Sequence, residues 1–138
     1  METPRILLAG TNDRAINLAR SAFEPLDYQI VTARAMSVAL FLAQKNLPEL
    51  IVSTLEMTDG DGRSYLHEVK RDEELASIPF VFCVDGTPEA HFELACVKEG
   101  ANMVVSSDLK PAELKALLEP LIHERLVKKG KRPETTPE

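Results

Sequence analysis

Four carboxylates stand close behind short apolar runs in this 138-residue chain: Asp13 after the first run, and Glu56, Asp59 and Asp61 after the third. Oxygen ligands of this kind attract a hard divalent cation, and a nucleophile beside the cation can accept a phosphoryl group. The hydroxyls nearest to hand are Ser53 and Thr54, at the end of that third run. A hydroxyl of high pKa with no evident general base is a far weaker nucleophile than a carboxylate. The acids also have simpler duties. Asn12 is placed to cap a helix and Asp13 to favour its positive end, while Asp59-Gly60 and Asp61-Gly62 are turn formers. The cluster reads as a solvated acidic rim, with no catalytic residue and no metal ligand assigned.

Other reactive side chains are scattered. His67, His91 and His123 lack ligand spacing, and Cys83 and Cys96 each lie inside an apolar stretch, the setting of buried reduced thiols. Gly10 follows a strand-like run, but no glycine-rich phosphate loop accompanies it, so no nucleotide cofactor is expected. Residues 1–126 carry 12 basic and 20 acidic side chains, and residues 127–138 carry 4 and 2. An acidic body argues against a nucleic-acid surface. No apolar run approaches a membrane span and the first residues do not resemble a signal peptide, so a cytoplasmic protein without membrane contact is expected.

The elements that must position these residues follow from periodicity. Hydrophobic residues make up 44% of the chain and aromatic ones 5%, without Trp, which suits an aliphatic parallel sheet covered by helices. Ile6 to Ala9, Tyr28 to Ala33, Leu50 to Thr54, Phe80 to Val84 and Met103 to Ser106 read as five strands. A helical segment follows each. The first ends at Pro25, the second before Pro48, and the fourth just before Gly100; the fifth begins at Pro111 and should kink or break at Pro120. In the fourth helix Ala90, Leu94 and Val97 form the natural buried stripe, and Phe92 lies off it beside Ala95 and Cys96. Strict strand-helix alternation implies an α/β doubly wound parallel sheet. The domain is expected to span residues 1–127, with 128–138 a flexible polar tail or linker.

Between Arg5 and about Leu126 the chain resembles the receiver domains of bacterial two-component response regulators, which have a flavodoxin-like fold. The resemblance rests on Tyr28-Gln29-Ile30-Val31-Thr32-Ala33 with Ala39-Leu40, on Pro48-Glu49-Leu50-Ile51-Val52, on Asp61-Gly62, on Ile78-Pro79 and on Gly100-Ala101. It implies a Mg²⁺ site and an acceptor aspartate, yet the positions that would carry them hold other residues. Gly10 and Thr11 stand for the paired acids and Thr54 for the acceptor. Val84 stands for the hydroxyl that binds phosphate, Val104 for the aromatic switch residue, and Ser107, followed by Asp108, for the lysine. The resemblance is therefore to a degenerate form, a pseudo-receiver.

A phosphorylation-independent signalling module that works by binding protein partners, a fused output domain or a second copy of itself is the expectation. The resemblance places the partner or homodimer surface on the fourth helix, fifth strand and fifth helix, with Phe92, Ala95 and Val104 as candidates. Phe92 is equally readable as peripheral core. Two alternatives stay open: a small-molecule sensor using a pocket at the strand ends formed by Gly10, Thr11, Thr54, Val84, Asp85 and Ser107, or a phosphoryl acceptor at an unusual residue.

Overall fold

The computed structural model describes residues 3–130. Five strands form one parallel sheet: β1 (Arg5–Ala9), β2 (Gln29–Ala33), β3 (Leu50–Ser53), β6 (Phe80–Val84) and β7 (Met103–Ser106), in the order β2-β1-β3-β6-β7. The two strands between β3 and β6 are β4 (Glu56–Met57) and β5 (Gly60–Asp61), a short antiparallel hairpin that periodicity did not reveal because each has only two residues. The helices are α1 (Asp13–Phe23), α2 (Met36–Asn46), α3 (Gly62–Arg71), α4 (Ala90–Lys98) and α5 (Pro111–Gly130). This is the expected flavodoxin-like, doubly wound architecture of five parallel strands and five helices.

Alternation along the strands divides the core into two layers, because successive side chains leave a sheet on opposite faces. Ile6, Leu8, Leu50, Val52, Val81, Cys83 and Val105 pack with α1 and α5. Leu7, Ala9, Ile51, Phe80, Phe82 and Val104 pack with α2, α3 and α4. Each crossover thus lands on one face and leaves the strand ends open at a switch point between β1 and β3, where the chain leaves the sheet in opposite directions.

Two expectations need correction. Pro120 lies inside α5 but does not break it; the helix is continuous from Pro111 to Gly130. Residues 131–138 of the expected tail lie outside the described residues. On α4 the faces are reversed: Cys96 is fully buried and Phe92 half-buried, while Leu94 is 56% and Val97 44% exposed. Apolar residues occur on both sides of this short helix, so spacing alone did not select the side that meets the sheet. The same happens on α2, where Ala39 and Ala43 face the core and Val38 and Phe41 face outward.

Candidate functional site

Ala9 of β1 pairs with Ser53 of β3, so Gly10 and Thr54 meet just beyond the carboxyl ends of the two strands. Gly10 has φ 129°, a region that suits glycine. A Cβ placed there would lie 1.8 Å from Thr54 Oγ1 and 2.8 Å from Thr54 Cβ. The small residue at 10 and the branched residue at 54 therefore complement each other: Thr54 fills the space that a side chain at 10 would occupy. Gly62 closes the other side, since a Cβ there would lie 2.4 Å from the Thr54 carbonyl oxygen.

Thr54 is wholly buried, and its hydroxyl donates to the Glu56 carbonyl at 3.1 Å. The same carbonyl accepts the Thr11 backbone N–H at 2.9 Å and the Thr11 hydroxyl at 3.2 Å. Three neutral donors thus converge on one backbone oxygen and draw the β4–β5 hairpin over the strand ends. Ser53 is also buried and donates to the Thr54 carbonyl at 2.8 Å. Both hydroxyls have partners and neither faces solvent.

A second network lies at the ends of β6 and β7. The Ser107 hydroxyl donates to Asp85 Oδ1 at 2.6 Å, and the Asn12 amide donates to Asp85 Oδ2 at 3.2 Å. The Ser107 N–H donates to the Val84 carbonyl at 2.7 Å. The Ser107 bond first, then the Asn12 bond and the nearby Arg14 charge, hold the Asp85 carboxyl below its ordinary value. Asn12 works at both ends, since its Oδ1 also accepts from the N–H groups of Arg14 and Ala15 and so caps α1. One carboxylate ties together the start of α1, the end of β6 and the end of β7.

The acidic rim resolves into separate tasks. Asp13 pairs with Arg34 at 3.0 Å. Asp59 is more than a turn former: it accepts from the N–H groups of Met36 and Ser37 and from the Ser37 hydroxyl at 2.6 Å, so it caps α2, whose own N-cap residue, Ala35, makes no side-chain cap bond. The Ser37 bond foremost lowers its carboxyl below the usual range. Asp61 caps α3 through Ser64 N–H at 2.8 Å. Gly10, Thr11 and Thr54 bring no carboxylate, and their N–H groups and the two threonine hydroxyls already donate within the protein, so these residues do not fit a Mg²⁺ site. Among the described residues no three His, Cys, Asp or Glu side chains are grouped to hold a metal.

The cleft that remains measures about 230 Å³ and is lined by Asn12, Leu55, Glu56, Cys83, Val84 and Asp85. Of the six residues expected around a pocket only Val84 and Asp85 line it: the Glu56 carbonyl lies against Gly10, Thr11 and Thr54, and Ser107 is buried against Asp85. The candidate partner residues are not a surface group either. Val104 is 5% exposed, and Ala95 is half-buried. The Phe92 ring lies 6.4 Å from the Phe82 ring and 5.7 Å from the Arg63 guanidinium, which is itself paired with Glu99 at 3.1 Å. Asp85 was visible in the sequence as a residue beside Val84, but its bonds to Ser107 and Asn12 join positions 22 and 73 residues away and left no local signal.

No family model matches the chain. Among curated proteins it is 28% identical over 105 residues to Histidine kinase P4 of Formosa agariphila, covering 76% of this chain and 8% of that protein. It is 25% identical over 121 residues to Response regulator Rre1 of Synechocystis sp., covering 88% of this chain and 46% of that protein. The chain therefore spans less than half the length of either relative. Among solved structures it matches the signal receiver domain of an HD domain-containing protein from Pseudomonas fluorescens Pf-5, with TM-score 0.81, 20% identity and 95% of each chain covered. It also matches a CheY-like response regulator receiver domain protein from Methanospirillum hungatei JF-1, with TM-score 0.77, 16% identity, and 94% of this chain and all of that one covered. The fold is that of a receiver domain.

Proposed function

We propose that this receiver-like domain is a bacterial, cytoplasmic signalling module that acts by binding and is held in one conformation without phosphorylation. The observation that carries the reading is Asp85. Its carboxylate accepts from Ser107, at the position the resemblance gives to the phosphate-binding lysine, and from Asn12 beside the first strand. A built-in anion thus joins strand ends that a phosphoryl group would otherwise join. At the acceptor position Thr54 is buried, bonded and without a cation site, which leaves the hydroxyl without the charge neutralisation that phosphoryl transfer needs.

The names of the relatives, a histidine kinase and a response regulator, support a partner drawn from two-component signalling, either a kinase or an output domain in the same chain. The surface proposed for that partner, or for a second copy, includes the outward side of α4, where Leu94 and Val97 are exposed. The cleft of about 230 Å³ falls below the usual size of a small-molecule pocket, so the sensor reading at the strand ends is not adopted. Incubation with Mg²⁺ and acetyl phosphate, followed by intact mass measurement, tests the reading. The mass should stay unchanged, and a stoichiometric gain of one phosphoryl group would overturn it.

A further inference from the structure

Within α4 only Cys96 is fully buried, with Phe92 half-buried one turn before it. The helix has 9 residues, and its N-cap residue, Glu89, makes no side-chain cap bond. So short a segment has little helical stability of its own and depends on what docks it. Its C-cap residue is Glu99, a carboxylate at the end where the helix dipole disfavours negative charge. The compensation has to come from across the fold.

It comes from Arg63, near the start of α3. The Arg63 Nε donates to Glu99 Oε1 at 3.1 Å and Nη2 donates to Oε2, while the same guanidinium lies 5.7 Å from the centre of the Phe92 ring. One side chain thus holds α4 both in its first turn and at its end. The bond to Arg63, first among the causes, lowers the Glu99 carboxyl below its ordinary value. His67 and Lys70 continue the same side of α3, four and seven residues along from Arg63. His67 Nε2 lies 4.0 Å from Glu99 Oε1, and a Cβ on Gly100 would lie 2.9 Å from Lys70 Cγ, so the lysine stem packs just past the helix end. Arg63 is itself anchored, because it follows Gly62, whose N–H donates to the Leu55 carbonyl at 2.9 Å beside Thr54.

We propose that Arg63 is the clasp that keeps α4 docked, so that without it α4 opens as a unit while the sheet stays folded. Arg63 is then a positioning residue. It fixes the place of Leu94 and Val97 on the outward side of α4, a consequence that rests on the proposed partner surface. The clasp itself does not. A planar guanidinium can grip two carboxylate oxygens and cover a ring at once, which an ammonium cannot. Lysine at 63 would keep the charge and lose the grip.

The two buried thiols report on the clasp. Cys96 lies under α4, whereas Cys83 lies in the other layer of the core, with α1 and α5. The full chain is labelled with N-ethylmaleimide at neutral pH and each cysteine is followed by peptide mass mapping. Arg63→Ala should raise the rate at Cys96 relative to Cys83 by about tenfold or more, with a weaker denaturant dependence at Cys96 than global unfolding has. Arg63→Lys should raise the same ratio severalfold. Glu99→Gln leaves the arginine over Phe92 and should raise the ratio by less than Arg63→Ala, which keeps the test decisive if Arg63→Ala is poorly folded. Equal acceleration of both thiols in all three variants would make Arg63 an ordinary contributor to global stability and overturn the proposal. An unchanged ratio, or a wild-type Cys96 that already labels alone, would overturn it too. If the ratio rises while Leu94→Glu with Val97→Glu leaves association unchanged, the partner surface fails and the clasp stands.

Discussion

Under the proposed reading Thr54 stands at the acceptor position, and the structure around it suits a hydroxyl: it is wholly buried and donates to the Glu56 carbonyl. Thr54→Asp should leave the protein unphosphorylated by acetyl phosphate with Mg²⁺, because Gly10 and Thr11 supply no charged ligand. It should also lower stability by about 2–5 kcal/mol, since a carboxylate would be desolvated at a wholly buried position facing a carbonyl. Urea unfolding and intact mass of the one variant check both parts, and phosphorylation without loss of stability would show that the missing ligands are unnecessary. Asp85 gives a pH prediction. Its folded-state pKa is lowered, so the native state binds fewer protons than the unfolded one, and the stabilisation is present above the ordinary value and lost as pH falls through the lowered one. Asp85→Asn should therefore make the melting temperature fall less than in the wild type between about pH 5 and about pH 2. Parallel curves for the two proteins would remove Asp85 from the acid-sensitive set.

Among the elements, α4 shows most clearly how tertiary contacts choose between equivalent faces. Phe92 and Cys96, one turn apart, meet Phe82 and the sheet, and Arg63 covers Phe92 while gripping Glu99 at the far end of the same helix. Phe92→Ala should thus cost roughly 2–3 kcal/mol of folding stability, less than a fully buried phenylalanine, and should change association little. The double change Leu94→Glu with Val97→Glu should do the reverse: stability within about 0.5 kcal/mol of wild type, and self-association or partner binding weaker by more than about 1 kcal/mol. Thermal melting with sedimentation separates the two outcomes. A double variant that associates like wild type would remove this side of α4 from the proposed surface. Helix ends were more legible than helix faces. Asn12 caps α1 as its place in the sequence suggested, Asp61, read as a turn former, also caps α3, and the cap of α2 comes from Asp59, 23 residues along the chain from Met36, which could not be read locally.

For the molecule as a whole, the two layers of core bury both thiols completely. Desolvation, with Asp85 adding to it, pushes Cys83 up to about 12, and burial likewise raises Cys96. Neither should react with a thiol reagent in the native state at neutral pH, and the rate of labelling should follow global opening of the fold, since the thiolate forms only when the cysteine is exposed. Labelling of both thiols at the same denaturant dependence as unfolding is expected. Fast labelling of Cys96 alone in buffer would instead show that α4 opens by itself. No helix among the described residues is long and apolar enough to cross a membrane.

The sequence alone determined the five strands, the five helices and their winding, because near-continuous apolar runs and turn residues act locally and strict alternation leaves few topologies. It also determined which residues stand at the strand ends, since position along a strand follows from counting. Only the tertiary structure decided how those residues meet. Gly10 and Thr54 are 44 positions apart, yet their fit is set by a separation that no side chain at 10 could share. The Glu56 carbonyl against Gly10, Thr11 and Thr54, the bond from Ser107 to Asp85 and the inward turn of Phe92 all depend on long-range contacts. Such contacts are chosen by packing among faces that periodicity leaves equivalent, and so they exist only once the chain has folded.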